Sequence, residues 1–398
     1  MARLPGRAVE DLIERVREAN LRGRGGAWFP AARKWLAVKA EASDPFTGPG
    51  RPPVVVANGA EGEPGSIKDR WLMANRPHEI LEGLGFAARA LGASEAILFL
   101  KGSFAGPAQA LRGALRGAML DGLAVTIRHG DDSYVTGEET AALEALEGRR
   151  AWPRPKPPLP AASGLHGRPT LVQNVETLSR VPAAVADPAA FRAAETTLVS
   201  LWGHVRRPGV YEVRLGTPIA DIIEVHGGGV TSGVGMIFPA GPSAAPLRPE
   251  QSSTPLDPDA LRAAGSALGT ASLLVLGAQF CPISVAASLA GFFEREACGQ
   301  CPPCTMGTAN LAQILRALEA GVARAADLGH LAGAAGFMSM HGYCAHSRTA
   351  AASVTGLLGR FRSDVDAHIA ARACPRPEGR CDPFAPGSAE RTAIESLV

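Results

Sequence analysis

Between residues 50 and 130, short apolar runs alternate with stretches whose apolar positions fall on one helical face. Residues 54–57, 96–100 and 124–127 read as strands. Ile80, Leu81, Leu84, Ala88 and Leu91 share one helix face, and Leu111, Leu115 and Met119 share the next. Strand–helix–strand repetition predicts an α/β domain built on a parallel sheet with right-handed crossovers. Ligands of such sheets bind beyond the carboxyl ends of the strands, the edge to which Asn58 and the segment from Tyr134 to Thr140 would be delivered. Upstream, Val9, Leu12, Ile13 and Val16 predict a helix over 7–19, and the stretch from Arg22 to Pro30 is too rich in glycine to continue it.

The pattern changes twice further on. Residues 153–160 hold five prolines and read as a stiff extended crossing. Near residue 190 the chain turns β-rich, with strands at 198–205 and 210–213 around the turn signal Pro208 and Gly209, and a short helix through Ile219, Ile222 and Ile223 up to Gly227. The uncharged run 270–293 has the length of a membrane span, but Gly277, Gln279 and Pro282 divide it. A buried strand at 272–276, a turn and a helix start account for it better. From about 283 the spacing is helical, with Leu311, Ile314, Leu315 and Leu318 one turn apart, which predicts an end domain of bundled helices.

Charge is balanced, 40 Lys and Arg against 38 Asp and Glu, so nothing points to nucleic acid or an anionic membrane. The start, Met1-Ala-Arg-Leu-Pro, lacks the apolar core of a signal peptide. Seven cysteines, an odd number, imply a reducing, cytoplasmic setting.

Cys298, Cys301 and Cys304 follow one another at Cys-x-x-Cys spacing, and Cys344 comes from a distant segment. Four thiolates suit a [4Fe–4S] cube, and soft sulfur ligands select iron–sulfur or zinc over hard cations. Zinc is the rival, with His341 and His346 flanking Cys344, but structural zinc usually takes two separated Cys-x-x-Cys pairs. Cys281 reads as a buried core residue, and Cys374 and Cys381 as unligated residues of a Pro/Arg-rich tail. Three loops carry polar chemistry. Gly23, Gly25 and Gly26, with Arg22, Arg24 and Lys34, have the makings of a phosphate cradle or of a glycine-rich surface turn. Asn58, Glu61 and Glu63 follow the first strand, and Tyr134, Gly137, Glu138 and Glu139 the third, as a cofactor's polar rim or as turns and helix caps.

Read together, these residues resemble the NADH-binding flavoprotein subunit of respiratory complex I. The similarity is carried by the loop from Leu21 to Pro30 with Lys34 and Trp35, by Asn58 to Gly65 with Lys68, Asp69 and Arg70, and by Gly137 to Thr140. Leu146 to Arg150, Pro153 to Pro158, Asn174 to Thr177, Gly203 to Val213 and Glu296 to Cys304 extend it. The resemblance implies an FMN- and NADH-binding domain over 1–190, a β-grasp domain of the soluble-ligand-binding type over 191–280, a helical [4Fe–4S] domain over 281–372 and a tail over 373–398. It places Gly23, Arg24, Gly25, Gly26 and Lys34 at the FMN phosphate region, and Asn58, Glu61, Gly137, Asn174 and Thr177 along the flavin and its ribityl chain. Phe29, Glu63, Tyr134, Glu138, Glu139 and Lys156 would face the dinucleotide, and Cys298, Cys301, Cys304 and Cys344 would ligate the cube.

The implied function is passage of electrons from NADH through FMN to the cluster and on to a partner iron–sulfur or ferredoxin-like protein, within a multisubunit complex. Hydride transfer asks for positioning rather than an acid–base side chain, so no catalytic residue is expected. The same subunit type occurs in NAD-linked hydrogenases and formate dehydrogenases. This chain departs from the family pattern at Ala60, where a carboxylate is usual, at Trp28, where a glycine is usual, at Gln173, and at Ala37 and Leu159, where aromatics are common. These departures leave two alternatives open, an electron-transfer subunit of the same fold that does not use NADH, and a zinc-stabilised scaffold without redox chemistry. They also raise the expectation that Trp28 stacks on the dinucleotide or obstructs it.

Overall fold

The structure is a computed structural model and describes residues 9–44, 50–120, 122–230 and 232–398. The signal-peptide reading of Met1 to Pro5 and the side chain of Val9 lie outside the described residues. Contacts divide the chain into two compact units, residues 1–62 with 68–196, and residues 63–67 with 197–397.

In the first unit, helices α1 (Val9–Glu18) and α2 (Ala31–Ala42) precede strand β1 (Val54–Asn58). Next come α3 (Lys68–Asn75), α4 (Pro77–Leu91), β2 (Glu95–Lys101), α5 (Ala105–Leu115), β3 (Ala124–Gly130), α6 (Glu139–Leu146), β4 (Thr170–Asn174), α7 (Val175–Ala186) and α8 (Pro188–Ala193). The strands form one sheet in the order β3-β2-β1-β4, parallel throughout. Because helices cover it, β1 and β2 are near-continuous apolar runs, whereas edge strand β3 is more exposed. Helix α4 starts on Pro77, where the missing N–H costs nothing, and ends on left-handed Gly92. Its face of Ile80, Leu84, Ala88 and Leu91 is buried, and each large apolar side chain there contributes roughly 1.5–3 kcal/mol. Gly83 lets α4 approach α7 directly, since a Cβ at that position would lie 1.8 Å from the Leu178 carbonyl oxygen.

Strand β4 is an element that apolar spacing did not reveal. It closes the sheet beside β1, and its register sets Asn174 level with Asn58. The proline crossing between α6 and β4 carries cis peptide bonds at Lys156–Pro157 and Pro157–Pro158.

In the second unit, β5 (Thr196–Gly203), β6 (Gly209–Arg214), β7 (Val234–Phe238) and β8 (Ser272–Gly277) form a four-stranded sheet in the order β6-β5-β8-β7. Short helices α9 (Ile219–Asp221) and α10 (Pro258–Ala263) lie between its strands in sequence. The uncharged run resolves into β8, a turn, and α11 (Pro282–Arg295), whose residues from Pro282 to Phe293 are all buried. Among the described residues no helix is long and apolar enough to cross a membrane. Helices α12 (Pro302–Glu319), α13 (Ala325–His341), α14 (Ala345–Arg360) and α15 (Arg362–Ala371) complete the bundle, and α16 (Ala389–Glu395) ends the chain.

The terminal segment is no loose tail. Phe384 is fully buried, edge-on to Phe238 and Trp202. The backbone N–H groups of Cys381 and Phe384 donate to Ser284 and Ser288 of α11. Cys374, read from the sequence as an unligated tail residue, is buried with its sulfur 3.7 Å from that of Cys281.

Candidate functional site

Two constellations can be built from the residues upward, one in each unit. In the first unit, the glycine loop is pinned at its base, where the Gly23 N–H donates to the Phe29 carbonyl and the Ala31 N–H to the Leu21 carbonyl. Its crown stands on the end of β4, since a Cβ on Gly25 would come within 3.2 Å of the Asn174 Cβ. Gly25 is exposed, so its backbone is open to a ligand. The Arg24 N–H donates to the Thr177 hydroxyl at 2.7 Å, tying the loop to the first turn of α7. Asn174 caps that helix by accepting the N–H groups of Glu176 and Thr177, while its amide donates to Asp69 at 2.7 Å. On the neighbouring strand, the Asn58 amide donates to the Gly137 carbonyl at 2.9 Å. Gly137 is needed there, because a Cβ would lie 2.7 Å from the Ala60 carbonyl oxygen.

Beneath this edge lies a buried charge network that sequence spacing did not reveal. The Lys68 ammonium sits 2.7 Å from Asp69 and 2.8 Å from Glu176, all three buried. Burial raises the Asp69 carboxyl against the pull of Lys68, with Glu61 and Glu176 adding like charge. Burial would also raise Glu176, but Lys68, Arg180 and Arg24 together hold it at about 2. Arg24 contributes its charge here and not to a phosphate. Its side chain is buried and paired with Glu195, which corrects the expectation drawn from its place in the loop. Glu61 is also structural, accepting the Asp69 and Arg70 N–H groups at the start of α3.

The rim carries a second, more open set. Lys34 pairs with Glu139 at 2.7 Å, and Lys156 bridges Glu138 at 2.8 Å and Glu139 at 2.9 Å. Burial alone would raise Glu139, but the two ammonium groups hold it at about 2. Glu138 caps α6 with its other oxygen. Tyr134 is half-buried just ahead of this turn, and Phe29 is 46% exposed with the Arg33 guanidinium over its ring. Glu63 groups with the second unit, where it accepts the Ser243 hydroxyl at 2.6 Å.

Trp28 is neither clamp nor obstruction. It is buried, and the Arg24 guanidinium covers its ring at 4.2 Å. Trp28→Gly is expected to lower the melting temperature through loss of about 3–5 kcal/mol of packing while changing the NADH dissociation constant of FMN-loaded protein less than about twofold. A tenfold weaker NADH affinity would restore the clamp.

In the second unit, the cysteines sit at helix starts. Cys301 is the N-cap of α12 and Cys344 the N-cap of α14, and helix N-termini favour thiolate. Gly299 takes the left-handed turn between Cys298 and Cys301. Burial pushes the Cys304 thiol up to about 12, and the nearby Cys301, Cys344 and Cys298 add to it. The other three thiols thus lie near enough to act on Cys304, and a donor set this hard to ionise alone suits a cationic metal–sulfide core. His346 is no ligand through Nε2, which faces the Phe293 carbonyl at 3.0 Å from a buried position.

Family models match the segments that carry these constellations. Residues 16–183 match the Nuo51 FMN-binding domain, 198–235 the SLBB domain, and 284–368 the NADH-ubiquinone oxidoreductase-F iron-sulfur binding region. The chain is 38% identical to the second F-type subunit of NADH-quinone oxidoreductase in Rhizobium meliloti, over 92% of this chain and 90% of that protein. It is 36% identical to the F-type subunit of the same enzyme in Streptomyces coelicolor, over 92% and 85%. Among solved structures it resembles a chain of a NAD+-reducing [NiFe]-hydrogenase in the H2-reduced state, with TM-score 0.83 and 33% identity. That match covers 93% of this chain and 64% of the hydrogenase chain, so this chain spans slightly less than two thirds of that relative. Fold and sites define an iron–sulfur flavoprotein of the electron-transfer type. The chain belongs to the family of F-type subunits of NADH-quinone oxidoreductase.

Proposed function

We propose that this chain is the NADH-oxidising electron-entry subunit of a cytoplasmic or membrane-peripheral complex, passing electrons to a partner iron–sulfur or ferredoxin-like protein. The observation that carries the reading is the exposed Gly25 backbone standing on Asn174, level with Asn58 on the next strand. FMN, when bound, supplies conversion of a two-electron hydride donor into single electrons for a [4Fe–4S] cluster. The protein's part is placement. The backbone from Gly23 to Gly26 and the Lys34 ammonium would hold the phosphate region, and Asn58, Asn174 and the Gly137 backbone the flavin's polar edge. Thr177 and Glu61 act at one remove, fixing the glycine loop and the start of α3. Phe29, Tyr134, Glu138, Glu139 and Lys156 would present the rim to the dinucleotide. Cys298, Cys301, Cys304 and Cys344 would ligate the cluster.

Lys34 tests the phosphate assignment. A charge-assisted contact is worth about 1.5–3 kcal/mol, so Lys34→Ala is expected to weaken FMN binding at least about tenfold, with Lys34→Arg recovering most of it. Ultrafiltration of FMN-loaded protein measures this, and unchanged affinity in Lys34→Ala would move the phosphate elsewhere. A second reading, the same fold working without NADH, draws support from Ala60, which is buried in an apolar cluster where the family carries a carboxylate, and from the burial of Trp28. A zinc-held scaffold finds less support, because a compact cysteine triplet with one distant cysteine suits a cube better than the two separated pairs usual for structural zinc.

A further inference from the structure

Three potential metal ligands meet in the second unit, apart from the four cysteines already described. Cys281 is the N-cap of α11, His368 belongs to α15, and Cys374 follows that helix. All three are buried, and their ligand atoms lie within 4.8 Å of one another. The Cys281 sulfur is 3.4 Å from His368 Nε2 and 3.7 Å from the Cys374 sulfur. Tetrahedral zinc, with Zn–S of about 2.3 Å and Zn–N of about 2.0–2.1 Å, separates sulfur from nitrogen by roughly 3.6 Å and sulfur from sulfur by roughly 3.8 Å. The observed spacings are edges of that tetrahedron.

The surroundings orient the ligands as a metal site requires. His368 Nδ1 faces the Asp364 carbonyl at 2.7 Å, so the proton belongs on Nδ1 and the Nε2 lone pair faces Cys281. Such an outer hydrogen bond is how ligating imidazoles are held in one tautomer. Backbone N–H groups of Ile283 and Ser284, in the first turn of α11, are directed at the Cys281 sulfur. The chain beyond Cys374 returns to the same turn. The Cys281 N–H donates to the Gly379 carbonyl at 2.7 Å, and Ser284 exchanges hydrogen bonds with the Cys381 backbone at 3.0 and 3.1 Å. Cys381 is thereby anchored one turn from Cys281.

We propose that Cys281, His368 and Cys374, joined by Cys381 after a side-chain rotation, bind one structural zinc ion that clasps the C-terminal segment to α11. A closed set of three cysteines and one histidine is a structural zinc set with no open position for chemistry. The expectation that Cys374 and Cys381 are unligated is thereby revised, while their independence of the iron–sulfur cluster stands.

Metal analysis of the full-length chain, purified anaerobically, tests the proposal. About one zinc per chain is expected beside the cluster iron, and chelator-treated protein given Co2+ should develop thiolate-to-cobalt charge-transfer and tetrahedral visible bands. Cys374→Ser and His368→Gln should each lower zinc to under about a tenth of the wild-type content with iron unchanged, and Cys301→Ser should lose iron and keep zinc. Wild-type protein that neither contains zinc nor takes up Co2+ overturns the proposal, a result that needs no variant to fold. Full zinc retention in both Cys374→Ser and His368→Gln, or a Cys281–Cys374 disulfide in a non-reducing peptide map, overturns it as well.

Discussion

Replacing Cys301 with Ala is expected to abolish the EPR signal of the reduced cluster and take iron from about four per chain to near none. Cys301 is buried, and the field of its thiol, with those of Cys344 and Cys298, reaches Cys304. Loss of one of four thiolates leaves one iron of the cube without its protein ligand, at a buried position where no side chain of the variant replaces it. The backbone role of Cys301 survives the change, since its carbonyl, not its sulfur, accepts the Cys304 and Thr305 N–H groups. The loss therefore reports on ligation and not on unfolding of α12. Cys374→Ala should keep the full signal, being buried against Cys281 and His368 instead. An essential Cys374 and a dispensable Cys301 would reverse the assignment.

The second large effect is expected at Gly25. Its Cβ position is already 3.2 Å from the Asn174 Cβ, and the two methyls of valine must go either into Asn174 or into the space the ligand needs. Pushing Asn174 disturbs the cap of α7 and the contact to Asp69 together. Close backbone approach to an anion has no alternative once a β-branched side chain intervenes. Gly25→Val should therefore lose more than about nine tenths of its FMN, and Gly25→Ala, which asks the neighbour to give by only a few tenths of an ångström, should lose less. Normal flavin content in the valine variant would remove the cradle from this loop.

The sequence made the architecture legible where the spacing of apolar residues was strong. Strands β1, β2 and β3 and helices α4 and α5 follow from it, and so does the division of the uncharged run into β8 and the buried α11. Strand β4 escaped because it is short and passes without a turn into α7, so its alternation merges with the helix pattern. The buried charges escaped for another reason. Lys68 and Asp69 stand about a hundred residues from Glu176, and nothing local says that the three are buried together. Trp28 and Arg24 misled in the same way, since loop position suggested ligand contact whereas each is covered by the other. Glu63 followed the resemblance to the dinucleotide, yet its carboxylate takes a hydroxyl of the second unit. The meeting of Cys281, His368 and Cys374 depends on the tail folding back along α11, which residue spacing cannot express.

Anaerobic titration of the purified, FMN-loaded chain with NADH, followed by flavin absorbance, tests the central claim most directly. The account predicts bleaching of the flavin complete at about one to two NADH per chain, with electrons shared between flavin and cluster. Flavin that dithionite bleaches but a large excess of NADH leaves oxidised would contradict it and identify the chain as an electron-transfer subunit that works without nicotinamide.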